Sequence, residues 1–136
     1  MRKFAFQILS PERIVYRGDI VSLVAPGVEG YLGIMAGHAP LLAALSIGEV
    51  KVTEENQLPL VFAITGGVLE VDKNGVTVMA DAAERAEEID VTRAEASRER
   101  AQQRIVQGDD VDVERAQAAI KRALNRLRTA GRANLG

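Results

Sequence analysis

The chain has 136 residues, no cysteine, and a single histidine, His38. Without cysteine it forms no disulfide and no thiolate-bound metal site. One histidine excludes a histidine-rich metal centre. No phosphate loop of the GxxxxGK[ST] type is present. No apolar run reaches the roughly 20 residues of a membrane span, and no secretory pattern opens the sequence. The expectation is therefore a soluble protein, which can still dock on a membrane complex. Net charge is −2, which argues against generic nucleic-acid binding.

Apolar residues make up 47 % of the chain, an ordinary globular share. The length suits one compact domain or two small ones. Charge is uneven along it. Residues 1–85 hold seven Lys/Arg against ten Asp/Glu, whereas residues 86–136 hold ten against nine. From Lys121 to Arg132 there are five bases and no acid.

The first half reads as strands. "FAFQIL" (4–9), "RIVY" (13–16), "IVSLVA" (20–25), "GEVKV" (48–52), "LVFAIT" (60–65), "VLEV" (68–71) and "VTVMA" (76–80) are short and rich in Val, Ile and Phe. They are divided by "SPE", "APGVEG", "EENQ", "GG" and "DKNG". Asn74-Gly75 between apolar runs predicts a hairpin. Short strands at close spacing suggest an antiparallel sandwich or flattened barrel.

From Asp81 on the β signal fades and the period changes. Val91, Ala94, Arg98, Ala101 and Ile105 recur at helical spacing, as do Val113, Ala116, Ile120, Ala123 and Leu127. Between them "QGDDVD" places Gly108 to stop one helix and Asp110 or Asp112 to cap the next. So short a link predicts an antiparallel helical hairpin. Its seam is alanine-rich, with Arg98 in the middle of one stripe. Alanine contributes far less on burial than the roughly 1.5–3 kcal/mol of a leucine or isoleucine, so the hairpin needs a partner. On the first helix Arg93, Arg100 and Arg104 share a face, a mildly unfavourable arrangement unless something opposes it.

These residues resemble a known family. "EGYLGIMAGHAPLLAALSIGEV" (29–50) is similar to the signature of the epsilon subunit of F-type ATP synthases. "GGVLEV" (66–71), "VTVMADAAERAEEID" (76–90) and "KRALNRL" (121–127) follow in that family's order. The resemblance implies an α+β chain: an antiparallel β-sandwich of about ten strands over 1–85, then a two-helix antiparallel hairpin over 86–136. It implies a non-catalytic rotor subunit on the central stalk, with the sandwich docked on the gamma subunit and the c-subunit ring. It implies helices that either fold against the sandwich or extend to the catalytic beta subunits and block ATP hydrolysis. The bases from Lys121 to Arg132 would then face an acidic segment of those subunits. No cofactor is required; ATP is a regulatory ligand of the folded form in some members. The implied location is the cytoplasmic face of a bacterial membrane, held there through the complex.

ATP-binding members carry a motif of Ile or Leu, Asp, two variable residues, Arg and Ala. Here Ile89, Asp90, Arg93 and Ala94 match it. The resemblance further implies Glu84, Arg122 and Arg126 as site residues, and one of Arg98 or Arg100. A carboxylate such as Asp90 accepts a hydrogen bond from adenine's amino group, and guanidinium forks suit phosphate oxygens. Folding the hairpin would set Arg93 and Arg100 opposite Arg122 and Arg126. Asp90 serves equally as a plain helix N-cap, and Arg93 as a surface partner of Glu88 or Glu99. Glu87, Glu88 and Asp90 are not expected to hold a metal. His38 lacks any catalytic neighbour, and the resemblance places it, with Tyr31, at a partner contact. Tyr31 stands where the family usually has an acid, so an aromatic contact with a hydroxyl is expected instead. A free-standing ATP-sensing module with a mobile hairpin is the alternative reading. An enzyme with a sandwich active site has no catalytic constellation to support it.

Overall fold

The computed structural model describes residues 2–108 and 112–133. Eight strands are followed by two helices: β1 (Phe4–Leu9), β2 (Ile14–Ile20), β3 (Ser22–Gly27), β4 (Gly30–Met35), β5 (Leu41–Thr53), β6 (Leu60–Asp72), β7 (Gly75–Ala80), β8 (Ala83–Arg85), α1 (Val91–Gln107) and α2 (Val113–Ala133). A single 3-10 turn, Ala86–Glu88, joins the two parts.

The strands form one ribbon in the order β2-β1-β7-β6-β5-β3-β4, with β8 on β6. All pairs are antiparallel except β1 with β7. The long strands β5 and β6 pair over nearly their whole length, but not where Ser46 lies opposite Gly66. At that crease Gly66 and Gly67 have φ of +116° and +149°, and a Cβ on Gly67 would lie 2.1 Å from the Met79 carbonyl oxygen. Only glycine fits there. Beyond the crease β6 changes neighbours, from β8 along residues 62–64 to β7 along 67–72. The ribbon thus folds over into a sandwich. Tyr16 of β2 meets Phe62 of β6 edge-on, ring centroids 5.7 Å apart. Because β5 and β6 each run through both layers, eight strands supply ten strand segments.

Several details differ from the sequence reading. The "GG" of residues 66–67 lies inside one strand rather than between two, since glycine lets a strand crease without ending. The runs 13–16 and 20–25 divide instead at Val21, whose N–H bonds the Thr53 carbonyl. Strands β4 and β8 carried too little apolar alternation to be read. The hairpin before β7 forms, but Lys73 and Asn74 make its turn; Asp72 Oδ1 accepts from the amides of Asn74 (2.7 Å) and Gly75 (3.2 Å).

The main core is built from strand residues alone, Phe6, Ile8, Ile20, Phe62, Ile64 and Leu69 among them. The helices add almost nothing to it. α1 is capped by Asp90, whose Oδ1 accepts the Arg93 amide at 3.0 Å, and ends at Gly108 in the left-handed conformation. α2 is capped by Asp112 through the Arg115 amide at 3.0 Å; the other cap candidate, Asp110, lies outside the described residues. A link of at most about 3.5 Å per residue cannot return along a 17-residue helix that is about 25 Å long, so the two run antiparallel. Their buried alanines are Ala94 and Ala101 on α1 and Ala116 and Ala123 on α2, seven apart along each helix. Val91 and Val113, expected in the seam, are instead 42 % and 47 % exposed; each opens its helix, past the reach of its partner's packing. No helix among the described residues is long and apolar enough to cross a membrane.

α2 carries the main contacts between helices and strands, against β5, β6 and the 3-10 turn. The apolar part of this docking is small: Ala63, Ile89 and Ala130. The rest is polar. Asn125 Nδ2 donates to the Gly48 carbonyl at 2.9 Å, and Thr129 Oγ1 donates to Glu49 Oε2 at 2.8 Å. All three side chains, Asn125, Thr129 and Glu49, are buried.

Candidate functional site

On α1 the positions 93, 97, 100 and 104 step by four, three and four, which keeps them on one face. On α2 the positions 119, 122 and 126 do the same. The antiparallel seam turns these two faces toward a common space, and Thr65, Ala82 and Glu84 of the sandwich close its floor. The result is a cavity of about 570 Å³ lined by Thr65, Ala82, Glu84, Arg93, Ser97, Arg100, Ala101, Arg104, Ala119, Arg122, Ala123 and Arg126. Five of its lining residues are arginines, three from α1 and two from α2.

Among the described residues, one of the five is held by an acid. Arg126 Nε donates to Glu84 Oε1 at 2.6 Å and Nη2 to Oε2 at 3.1 Å, a two-point fork between α2 and β8. Arg100 Nη2 donates to the Ser97 hydroxyl at 3.2 Å, a neutral partner one turn back. Glu88, a possible partner for Arg93, instead faces Arg13 at 3.4 Å. Like charges gathered around a small space repel unless an anion joins them. Guanidinium groups present paired donors to phosphate or carboxylate oxygens. The chemistry of this lining is that of a polyanion site.

The structure sorts the residues singled out in the sequence. Glu84, Arg93, Arg122 and Arg126 meet around the cavity, and of the two first-helix alternatives it is Arg100 that lines it. Arg98 does not; its Nε is buried without a hydrogen-bond partner. Ile89, Asp90 and Ala94 lie off the lining. Ile89 packs with Ala63 and Ala130 beneath the hairpin, Ala94 is wholly buried in the seam, and Asp90 is exposed at the α1 cap. Arg104 belongs to the lining, as its spacing from Arg93 and Arg100 foreshadowed. The basic run from Lys121 divides: Arg122 and Arg126 turn into the cavity, while Lys121 and Arg128 are exposed. The Arg132 side chain lies outside the described residues.

Tyr31 and His38 sit elsewhere. Tyr31 is 62 % exposed on β4, whose outward residues Tyr31, Gly33 and Met35 lie beside Val24 of β3. His38 is exposed in the following loop, its Nδ1 2.7 Å from the Ala39 carbonyl oxygen. With Arg2, Met35 and Lys73 it borders a cleft of about 480 Å³. A third cleft, of about 610 Å³, lies over β1, β2 and β7. In it Gln7 bonds both Thr77 and Arg17. Among the described residues no group of three or more acids and histidines is placed to hold a metal ion.

Comparison with known proteins covers the whole of this architecture. A family model described as "ATP synthase, Delta/Epsilon chain, beta-sandwich domain" matches residues 3–86. A second, "ATP synthase, Delta/Epsilon chain, long alpha-helix domain", matches residues 87–131. The chain is 49 % identical to the ATP synthase epsilon chain of Syntrophomonas wolfei, over 75 % of this chain and 74 % of that one. It is 44 % identical to the ATP synthase epsilon chain of Desulforamulus reducens, over 90 % and 93 %. A chain in the Euglena gracilis mitochondrial ATP synthase structure (OSCP/F1/c-ring, rotational state 1) superposes with a TM-score of 0.73 at 22 % identity, over 98 % of this chain and 82 % of that one. At that identity the likeness is one of fold.

Proposed function

The chain belongs to the ATP synthase delta/epsilon chain family, and on that premise we propose that it is the non-catalytic epsilon subunit of an ATP synthase central stalk. Its sandwich, residues 1–85, docks on the gamma subunit and the c-subunit ring. Its hairpin, residues 86–136, is the regulatory arm, which restrains ATP hydrolysis when extended toward the catalytic beta subunits and reads ATP when folded. The protein sits on the membrane through the complex, at the cytoplasmic face of a bacterial cell.

The observation that carries this reading is the cavity, which needs both helices and the sandwich floor. Only the folded hairpin assembles it. The four arginines other than Arg126, which Glu84 holds, oppose that folding; a triphosphate among them removes the opposition and adds charge-assisted hydrogen bonds. A ligand that binds only the folded form stabilises it by about 2.7 kcal/mol at one hundred times its Kd. The phosphate chain lies along Arg93, Arg100, Arg122 and Arg126. The base lies toward the start of α1, where Asp90 spends Oδ1 on its cap and keeps Oδ2 to accept from adenine's amino group.

The docking surface supports the same reading. A hairpin held by hydrogen bonds and one small apolar cluster releases at little cost, because water replaces each bond it loses. On the sandwich, Val24, Tyr31 and Met35 form an exposed apolar strip suited to a protein partner.

Two measurements test the proposal. Calorimetric titration with ATP should give binding in the intact chain and none in the Arg122→Ala/Arg126→Ala variant. Silence at millimolar ATP in the intact chain removes the nucleotide reading. A pull-down with a gamma subunit should retain the chain; failure there removes the stalk reading whatever ATP does.

A further inference from the structure

We infer that Asn74-Gly75 is a latent deamidation site, and that Asp72 is the residue that restrains it. The pair lies at the junction of β6 and β7, with Asn74 exposed. The fold leaves no freedom to replace the glycine. Gly75 has a φ of +144°, and a Cβ there would lie 2.7 Å from the Ala5 carbonyl oxygen on β1. Only glycine meets both demands. Asparagine before it suits a tight turn. Packing thus sets, directly after an exposed asparagine, the one residue whose amide has no side chain to hinder it.

Asparagine is thermolabile, and its conversion here needs only water. The Gly75 nitrogen loses its proton and attacks Asn74 Cγ. The new N–Cγ bond closes a succinimide ring. The Cγ–Nδ2 bond breaks, and Nδ2 takes up a proton and leaves as ammonia. Water then opens the ring. Cleavage of the N–Cγ bond gives aspartate on the original main chain. Cleavage between the Gly75 nitrogen and the Asn74 carbonyl carbon gives isoaspartate, whose main chain runs through Cβ and Cγ. No atom is oxidised or reduced. Isoaspartate lengthens the turn that sets β6 against β7, where Asp72 pairs with Gly75. Either product also places a new carboxylate at the border of two clefts, since Asn74 lines both.

Asp72 hinders the first step. Its Oδ1 accepts the Asn74 amide at 2.7 Å and the Gly75 amide at 3.2 Å. The proton that must leave is therefore engaged by a carboxylate. Its loss would put a negative nitrogen beside that negative oxygen, which repels it. Attack on Cγ also turns the nitrogen away from Asp72 and forfeits a charge-assisted bond.

The test is the rate at which Asn74 converts in the full chain. Wild type, Asp72→Ala and Asp72→Ser are incubated in mildly alkaline buffer, with wild type in urea as the unrestrained reference. Peptide mass spectrometry follows the gain of one mass unit at Asn74 and the release of isoaspartate. Folded wild type should convert slowly, and Asp72→Ala at least about tenfold faster. Asp72→Ser, which keeps an uncharged acceptor, should fall between them. A rate in either variant equal to or below that of folded wild type overturns the role of Asp72. An Asn74 that stays intact even in urea, or converts as fast folded as unfolded, overturns the inference as a whole. Far-ultraviolet circular dichroism controls for folding. Should the alanine variant fail to fold, the serine variant decides alone: faster than wild type supports the inference, equal or slower overturns it.

Discussion

At the scale of single residues, one side chain shows how burial turns into pH dependence. Tyr16 lies between Phe6 and Phe62, ring centroids 5.9 and 5.7 Å away, and its hydroxyl donates to Glu54 Oε2 at 2.8 Å. Burial, and then that bond to a carboxylate, push its ionisation well above the ordinary tyrosine value. An unfolded tyrosine loses its proton near about pH 10. Above that pH the folded chain keeps a proton that the unfolded chain has released, so stability falls as pH rises. The contribution is whole below the unfolded value and is lost on the way up to the folded one. Urea unfolding of wild type and Tyr16→Phe, from about pH 8 to about pH 11, should show a steeper decline in the wild type. Parallel declines would mean that Tyr16 ionises as freely folded as unfolded.

The elements add a different kind of weakness. α1 and α2 meet through alanines, which let the helices approach closely but bury little area. Arg98 sits in that seam with its Nε out of water and without a partner. An unsatisfied buried donor costs about 1–3 kcal/mol. Arg98→Leu keeps the apolar stem and removes the donor, so it should stabilise the folded hairpin by about 1 kcal/mol. Thermal unfolding followed by helical circular dichroism would record this as a higher hairpin midpoint, and an unchanged or lower midpoint would contradict it. The sequence placed Arg98 in the stripe correctly, because the stripe follows from spacing alone. It offered no way to choose between Arg98 and Arg100 for the cavity. That choice depends on which side of the seam the sandwich occupies, a fact of tertiary packing.

For the whole molecule, the main core lies entirely within the strands, whereas the hairpin touches the sandwich through three small apolar residues and a set of polar bonds. The two parts therefore differ in how much each needs the other. Residues 1–88 alone should fold and unfold in one cooperative transition, close to the sandwich transition of the full chain. Residues 89–136 alone should be largely unfolded, because helices of this length with an alanine seam are marginal in water. Calorimetry and circular dichroism of the two fragments would decide; an unfolded sandwich fragment would mean that the hairpin is part of its core.

Much was legible from the order of residues because periodicity is a local property. Alternating Val, Ile and Phe marked most strands, threefold and fourfold spacing marked both helices, and Gly108 and Asp112 marked their ends. The arginine face could be seen on α1 before anything was known to oppose it. The rest required distance in space. The crease at Gly66 could not be told from a strand break, since a glycine pair reads as a turn until its neighbours are placed. Glu49, Asn125 and Thr129 carried no signal, as a buried polar residue looks like a surface one until its partner appears across the chain. That Glu84 grips Arg126, and that five arginines from two helices share one cavity, was decided only when the hairpin closed on the sandwich, because electrostatic and hydrogen-bonding partners are chosen by proximity and not by sequence.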